Sequence, residues 1–347
     1  MKKLIGVAAL LWTSIQLVKA HPPSIAYIVV DGQTGRVLGS MNAKRPQQPA
    51  SLTKKMTLLL LFEALKKGKI TLQTRFPVSE FATQQIPCKL NLQVGEMIPV
   101  ETLIRALVTH SANDVAVVIA EGVCGSIDAF VSRMNQRAKD LGMNQTHFKN
   151  PSGVPNNQQY STARDMIMLA QALYRDFPEY CHYFKLKGFQ YNNRFFKNHN
   201  GLLNRVEGLD GIKTGYVAKA GFCISTTAVR YTRNNQPIRL FGVFLGGKTA
   251  SHRDKVAESI LEAHFQKLGA FSSNTFHSEL DQILPFSSSK KSSRQSKISK
   301  IKPNRPSPLP KPTKIIRTSF TTSPASSQKR LPEGWVNPSS SYTRPKH

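Results

Sequence analysis

The strongest constraint on the fold is a change of composition near residue 272. From residue 273 to residue 347, the chain is rich in Ser, Pro and Lys and has few large apolar side chains. Such a segment cannot bury enough apolar surface to offset the chain entropy lost on folding. We therefore predict one folded region over residues 21–272, followed by a basic disordered tail over residues 273–347.

The first twenty residues have the pattern of a secretory signal peptide. Two lysines precede a mostly apolar run over residues 4–17, and residues 18–20 resemble a cleavage site. The apolar run is short for a membrane-spanning helix and is interrupted by Ser14 and Gln16, although an uncleaved anchor is the alternative. We expect cleavage after Ala20 and export to the periplasm or the cell-wall side of the cytoplasmic membrane, with no later membrane span.

The charge of the chain predicts polyanionic partners. The formal net charge is +28, and residues 286–347 carry +13 of it, because fourteen Lys and Arg residues are opposed only by Glu333. The folded region is therefore basic as well. Outside the cytoplasm, the anions available to such a surface are lipid headgroups and wall polymers. We expect no nucleic-acid partner, since the protein is predicted to be exported.

Four cysteines, Cys88, Cys124, Cys181 and Cys223, would enter an oxidising compartment. They allow three pairings, and the sequence neither chooses among these nor excludes buried free thiols. None forms the C-x-x-C pair typical of metal or redox sites. The sequence therefore leaves open whether the chain contains one disulfide or none.

The order of predicted elements indicates an α+β fold. A β-rich hairpin over residues 25–38 comes first, helices follow, and the last elements are two strands and a helix. We predict an antiparallel sheet built from both chain ends, flanked by helices, with an inserted helical subdomain. The predicted helices cover residues 56–65, 102–120, 127–141, 161–174 (with Ser161 as N-cap) and 252–268, and the later strands cover 221–231 and 238–245.

The first chemical motif is Ser51-Leu52-Thr53-Lys54, at the start of a predicted helix. This spacing places a hydroxyl and an amine one helical turn apart on the same face. The hydroxyl becomes a nucleophile when a base takes its proton, and a lysine with a lowered pKa can be that base. The spacing alone is weak, because it also occurs in the basic tail, and a helix cap beside a surface lysine is the alternative.

Two further motifs follow in a fixed order. Ser111-Ala112-Asn113 places polar side chains within an apolar stretch, as a catalytic pair or as a buried structural network. Lys213-Thr214-Gly215 places a cation, a hydroxyl and a glycine at a predicted strand start, where a plain turn is the alternative. His110 and Asp114 have a zinc-ligand spacing, but no third ligand follows at a recognisable distance, so we expect no metal.

Together these motifs resemble the active site of the low-molecular-mass penicillin-binding proteins of the 5/6 type, which are serine-type D-alanyl-D-alanine carboxypeptidases. The resemblance extends from about residue 25 to residue 268. It also includes blocks at residues 148–153, 161–166 and 219–221 and the glycine pair at 246–247. It implies a β-lactamase/transpeptidase-like fold, a peptidoglycan stem peptide as substrate, β-lactams as covalent inhibitors, and no cofactor.

The resemblance also implies a role for each motif residue. The nucleophile would be Ser51 and its base Lys54, kept neutral partly by Lys213, while Ser111 would relay a proton to the leaving D-alanine. The substrate-binding residues would be Asn113 for an amide, Lys213 and Thr214 for the terminal carboxylate, Gly215 for close approach of the peptide, and Tyr216 for an oxyanion hole with the Ser51 N–H.

The chain departs from the family pattern at three places. Tyr216 follows Lys-Thr-Gly where several relatives have histidine, and His199 stands where some have an arginine near the substrate carboxylate. The basic tail replaces a β-rich domain and an amphipathic membrane helix. We expect it to attach electrostatically to anionic membrane or wall polymer, and a passive solvated tail is the alternative. The alternatives to a carboxypeptidase function are a DD-endopeptidase that cuts crosslinks and a non-catalytic peptidoglycan-binding scaffold. A β-lactamase would need a Glu-x-x-x-Asn segment that residues 179–183 do not supply.

Overall fold

The computed structural model describes residues 24–272, so the predicted signal peptide and the predicted tail lie outside the described residues. The strands are β1 (Ala26–Asp31), β2 (Val37–Met41), β3 (Arg75–Pro77), β4 (Met97–Pro99), β5 (Gly188–Tyr191), β6 (Arg194–Lys197), β7 (Leu209–Val217), β8 (Gly221–Thr232), β9 (Pro237–Gly247) and β10 (Ala270–Phe271). The α-helices are α1 (Lys54–Lys66), α2 (Glu80–Thr83), α3 (Val100–Thr109), α4 (Asn113–Cys124), α5 (Ile127–Asp140), α6 (Ala163–Asp176) and α7 (Ala250–Lys267). Short 3-10 helices cover Ala50–Thr53, Pro178–Lys185 and Gly201–Asn204.

A six-stranded antiparallel sheet is assembled from both ends of the described chain. β2 forms one edge beside β1, which pairs with β9, and β9 pairs with β8. The other side of β8 is shared by β7 and β10, which pair with different parts of this long strand. All helices from α1 to α6 are inserted between β2 and β7. The α+β prediction is therefore confirmed.

Alternating side chains of β1 build a core on each face of the sheet, as the two-residue period of a strand requires. Val29 packs in one cluster with Leu261 and Phe265 of α7. Ile28 and Val30 belong to the other cluster, which contains buried residues of α1, α4 and α6. The sheet is thus covered by α7 on one face and by the inserted helices on the other.

The prediction of a single helix over residues 102–120 is wrong. The chain forms α3 and α4, because Ser111 between them has φ +62°, a left-handed conformation that cannot continue a right-handed helix. The break is stabilised by a hydrogen bond from Ser111 N to Ala106 O at 3.0 Å. It places Ser111 in a tight turn and Asn113 at the first residue of α4.

Two smaller expectations are also corrected, and one open question is answered. The N-cap of α6 is Thr162, whose hydroxyl accepts a hydrogen bond from Asp165 N, whereas Ser161 forms an isolated β-bridge with Gln47. Lys-Thr-Gly lies inside β7 rather than at a strand start, because pairing with β8 begins earlier, at Leu209. Of the two cysteine states that the sequence left open, the structure has the one without a disulfide, since all four cysteines are free thiols.

Among residues 24–272, no single helix has the length and apolar composition needed to cross a bilayer. Helices α4 and α5 meet those criteria only when taken together, and they are bent by 86° relative to each other.

Candidate active site

Ser51 is held where three elements meet. It lies in the 3-10 turn Ala50–Thr53, which continues directly into α1. The neighbouring Ala50 and Leu52 are buried, whereas Ser51 remains partly exposed. β7 packs against this turn so closely that a Cβ added to Gly215 would lie 2.9 Å from Ser51 N. The glycine therefore lets the strand approach the backbone of Ser51.

Lys54 is fully buried and contacts three oxygen atoms. Its Nζ lies 3.1 Å from Ser51 Oγ, 2.7 Å from Asn113 Oδ1 and 2.5 Å from Ser152 O. The amide and backbone carbonyl oxygens can only accept hydrogen bonds, whereas a serine hydroxyl can also donate. A neutral amine would use its two hydrogens on the carbonyl oxygens and direct its lone pair at the Ser51 hydroxyl. This geometry matches a base poised to take the serine proton.

The electrostatic surroundings favour that neutral amine. Burial, assisted by the positive charge of Lys213, holds the pKa of Lys54 well below its ordinary value of 10.5. The negative charge of Asp114 acts in the opposite direction. Burial also lowers the pKa of Lys213 to about 7, and the positive charge of Arg253 adds to the shift.

Lys213 and Thr214 occupy neighbouring positions on β7. Lys213 is 1% exposed and donates from Nζ to the Thr214 carbonyl at 3.0 Å. Thr214 lines the cleft in front of Ser51 together with Gly215 and Tyr216. The strand therefore presents a hydroxyl and backbone groups to the cleft, with a buried amine behind them.

Ser111 and Asn113 complete the set of predicted residues. Ser111 is 5% exposed, and its Oγ has no hydrogen-bond partner within residues 24–272, although it lines the same cleft as Ser51. Asn113 donates from Nδ2 to Ile86 O at 2.9 Å and from its backbone N to Cys88 O at 2.7 Å. The asparagine thus ties the segment at residues 86–88 to the lysine that contacts the serine.

The cleft has a volume of about 430 Å³ and a largely apolar outer wall. Six of the eight predicted residues line it, and the other two, Lys54 and Lys213, lie buried behind it. The Tyr216 side chain is 55% exposed and packs on Phe222 with a ring separation of 4.3 Å. The Tyr216 ring therefore lies at the exposed rim of the cleft.

His199 lines the cleft without supplying a charge near neutral pH. Burial, together with the nearby Lys213 and His110, lowers its pKa to about 4. It is therefore more completely neutral than the sequence suggested. The cation in this part of the cleft is Arg253 of α7, which donates to His199 O at 3.4 Å and to Asp254 Oδ1 at 2.8 Å. The sequence reasoning missed Arg253, because it lies in an ordinary polar helix pattern far from the motifs.

Comparison with known proteins places this site in a family. The family model described as D-alanyl-D-alanine carboxypeptidase matches residues 17–249. The chain belongs to this family. It is 36% identical over 248 residues to D-alanyl-D-alanine carboxypeptidase DacA of Escherichia coli (strain K12), which covers 70% of this chain and 60% of that protein. The chain therefore spans less than two thirds of that curated relative.

Solved structures of the family share the fold. Penicillin-binding protein 5 from Haemophilus influenzae superposes with a TM-score of 0.66 at 34% identity, covering 71% of this chain and 72% of that chain. Penicillin-binding protein D2 from Listeria monocytogenes, in its ampicillin-bound form, has a TM-score of 0.61 at 28% identity and covers 69% and 96% of the two chains. The transpeptidase-like fold inferred from the motifs is confirmed.

In this member of the D-alanyl-D-alanine carboxypeptidase family, the turn at residues 150–153 also contacts the active-site residues. Ser152 supplies the carbonyl that contacts Lys54, and Gly153 has φ +84°. Asn150 Oδ1 accepts a hydrogen bond from Gly153 N at 2.7 Å. The sequence showed this block only as part of the resemblance; its Asn-Pro-Ser-Gly composition was the available signal for a turn.

We predict that Gly153→Ala disrupts both stability and the serine turn. A Cβ at this position would lie 1.9 Å from Ala50 O and 3.0 Å from Ser51 N, in a backbone conformation that L side chains rarely adopt. The expected loss is at least about 3 kcal/mol of unfolding free energy, measured by urea denaturation. Gly125→Ala is the control, because Gly125 has φ +77° but no atom within 4 Å of its Cβ position. Equal losses in the two variants would contradict the steric explanation.

Lys55 is a second buried amine beside the site. It is fully buried, and its Nζ contacts Met166 O at 2.8 Å and Ser225 Oγ at 3.0 Å. Ser225 is the register partner of Lys213 across β7 and β8. Lys55 therefore links α1 to α6 and to the strand that neighbours the Lys-Thr-Gly strand.

We predict that Lys55→Met flattens the pH dependence of stability in the alkaline range. Burial lowers the pKa of Lys55 from 10.5 to about 7, so between these values the folded state binds fewer protons than the unfolded state. Stability from this group therefore rises with pH through that window and is lowest at its acidic end. The slope of unfolding free energy between pH 8 and 10 should be about 1.4 kcal/mol per pH unit smaller in the variant. Parallel slopes would show that Lys55 titrates at its ordinary pKa.

The His110–Asp114 pair has structural contacts. Asp114 accepts hydrogen bonds from the backbone of Asn91, Leu92 and Val115, and His110 packs edge-on against Phe196. Residues 24–272 contain no group of three His, Cys, Asp or Glu side chains placed to hold a metal ion. Through these hydrogen bonds, Asp114 fixes the loop that precedes β4.

Proposed function

We propose that this chain is a serine D-alanyl-D-alanine carboxypeptidase that removes the terminal D-alanine from peptidoglycan stem pentapeptides. The observation that carries this proposal is the set of Lys54 Nζ contacts, in which two carbonyl oxygens orient the amine toward Ser51 Oγ. Family membership supports the same reaction.

Acylation begins when Ser51 Oγ attacks the carbonyl carbon of the penultimate D-alanine. Neutral Lys54 accepts the serine proton, and the backbone N–H groups of Ser51 and Tyr216 stabilise the oxyanion that forms. Gly215 keeps β7 close to the Ser51 backbone, so both donors can face one oxygen. The acyl-enzyme forms as the bond to the terminal D-alanine breaks.

The leaving D-alanine needs a proton on its nitrogen and a cation near its carboxylate. Ser111 Oγ lines the cleft with no hydrogen-bond partner among the described residues, so it is free to relay a proton from Lys54. Thr214 and Lys213 would bind the carboxylate, with the buried Arg253 adding positive charge nearby. Asn113 would hold the substrate amide through its remaining Nδ2 hydrogen.

The peptide would lie along the free side of β7. Within residues 24–272, β7 pairs only with β8, so its other edge is available for backbone hydrogen bonds to an extended substrate. Water then hydrolyses the acyl-enzyme and regenerates Ser51. A β-lactam resembles the terminal dipeptide and would leave a slowly hydrolysed acyl group on Ser51; the ampicillin-bound relative supports this expectation.

The test is a comparison of two substrates with the same protein preparation. A stem pentapeptide and a D-alanyl-crosslinked dimer are incubated separately with the full chain, and the products are identified by mass. We expect D-alanine release from the pentapeptide to exceed dimer cleavage. Faster cleavage of the dimer would identify a DD-endopeptidase, and no cleavage of either would favour a non-catalytic scaffold.

We also propose that the protein is exported and that residues 286–347, with a charge of +13, contact anionic membrane or wall polymer. Sedimentation with anionic phosphatidylglycerol vesicles should pull down the protein at low ionic strength, and the bound fraction should fall near 1 M salt, where the Debye length is only about 3 Å. Neutral phosphatidylcholine vesicles are the control. Equal binding to both lipids, or binding that salt leaves unchanged, would contradict an electrostatic contact.

A further inference from the structure

The four thiols have different surroundings, and only one of them lies at the cleft. Cys223 and Cys181 contact backbone carbonyl oxygens through Sγ, and burial raises their pKa values to about 11 and about 12. Burial also raises the pKa of Cys124. Cys88 is partly exposed and lines the cleft that contains Ser51. It has no role in the mechanism proposed above.

Cys88 lies in the field of the two active-site amines. Cys88 is close enough to Lys54 and Lys213 to interact electrostatically with both amines, and it shares the cleft lining with Arg253. The segment that carries Cys88 is fixed by Asn113, which donates to Cys88 O at 2.7 Å and to Ile86 O at 2.9 Å. The thiol is therefore held in place beside positive charge rather than on a free loop.

A second feature shows that this part of the cleft is built to receive a ligand. The Ser111 side chain is 5% exposed and lines the same cleft as Cys88, yet its Oγ has no partner within residues 24–272. The cleft volume of about 430 Å³ leaves room for a small molecule between these groups. A substituent on Cys88 Sγ would enter the space that leads to Ser51.

We propose that Cys88 is a modification site that forms a mixed disulfide with small anionic disulfides, and that the attached group blocks access to Ser51. The Cys88 thiolate attacks one sulfur of the small disulfide, the old S–S bond breaks, and the second half leaves as a thiolate. That thiolate takes up the proton lost by Cys88, so atoms and electrons balance with the small disulfide as the oxidant. Arg253, which lines the same cleft as Cys88, supplies positive charge that favours an anionic partner. The blocking step rests on the proposed function, whereas the modification does not.

Glutathione disulfide is the probe for this proposal. The full chain is treated at neutral pH, the modified cysteine is identified by peptide mass, and the rate of acylation by a fluorescent penicillin is compared with that of the untreated protein. We expect the adduct on Cys88 before Cys124, Cys181 or Cys223. We expect acylation to slow at least tenfold and to recover after dithiothreitol.

Two variants, each compared with its own untreated rate, control the experiment. Cys88→Ser should show no slowing by glutathione disulfide, whereas Cys124→Ser should respond as the original chain does. An adduct elsewhere than Cys88, or an adduct on Cys88 that leaves acylation unchanged, would overturn the proposal. Acylation by the penicillin requires Ser51 but does not require that the enzyme release D-alanine. A failure of the carboxypeptidase assignment would therefore be seen separately, as an absence of D-alanine release by the untreated protein.

Discussion

Replacing Ser51 with alanine is expected to lower D-alanine release by on the order of 10⁴-fold or more. The variant keeps Lys54 and the backbone donors but lacks the oxygen that forms the acyl-enzyme. In the unchanged protein, the turn into α1 holds this oxygen 3.1 Å from the amine. The measurement is the initial rate of D-alanine release from a stem pentapeptide.

A matched serine-to-alanine change controls this experiment. Ser40 lies on β2, is exposed, and is far along the sheet from β7, so Ser40→Ala should retain the full rate. Circular dichroism of both variants should remain that of the unchanged protein. Rapid D-alanine release by a folded Ser51→Ala variant would mean that another group is the nucleophile.

Replacing Lys54 with methionine should cost about 10²–10⁴-fold in acylation, the range expected for loss of a general base. Methionine fills similar volume in a fully buried site but cannot accept the Ser51 proton. The carbonyl oxygens of Asn113 and Ser152 would also lose their donor. Stopped-flow acylation by a fluorescent penicillin measures the effect directly.

The neighbouring Lys55 offers the same substitution at an equally buried position. Lys55→Met removes an amine that contacts Met166 and Ser225 but not Ser51, so we expect less than a tenfold loss of acylation rate. Similar losses in the two variants would show that burial of any lysine in α1, rather than the Lys54–Ser51 contact, determines the rate.

Sequence reasoning reached the parts of the site that depend on local spacing. Ser51 and Lys54 are three residues apart at the start of a predicted helix, and this position predicts the contact between hydroxyl and amine that the structure shows. The first hairpin, α5 and the paired strands β8 and β9 were likewise predicted from their periodicity and turn residues. Family resemblance added the roles of the remaining motif residues, which stay predictions.

The features that sequence reasoning missed depend on long-range contacts or on one backbone angle. The apolar run at residues 102–120 reads as one helix, and nothing in its periodicity signals the left-handed Ser111 that divides it. Ser152 and Arg253 reach the site through their position in the fold, from a turn and from the last long helix. Such contacts have no fixed spacing from the motifs along the chain.

The most direct test of the central claim is the intact mass of the protein after exposure to benzylpenicillin, beside the Ser51→Ala variant. We expect a mass gain equal to the drug in the unchanged protein and no gain in the variant. The same gain in Ser51→Ala would contradict the assignment of Ser51 as the acylated residue. No gain in the unchanged protein, without turnover of the drug, would contradict a working acylation site.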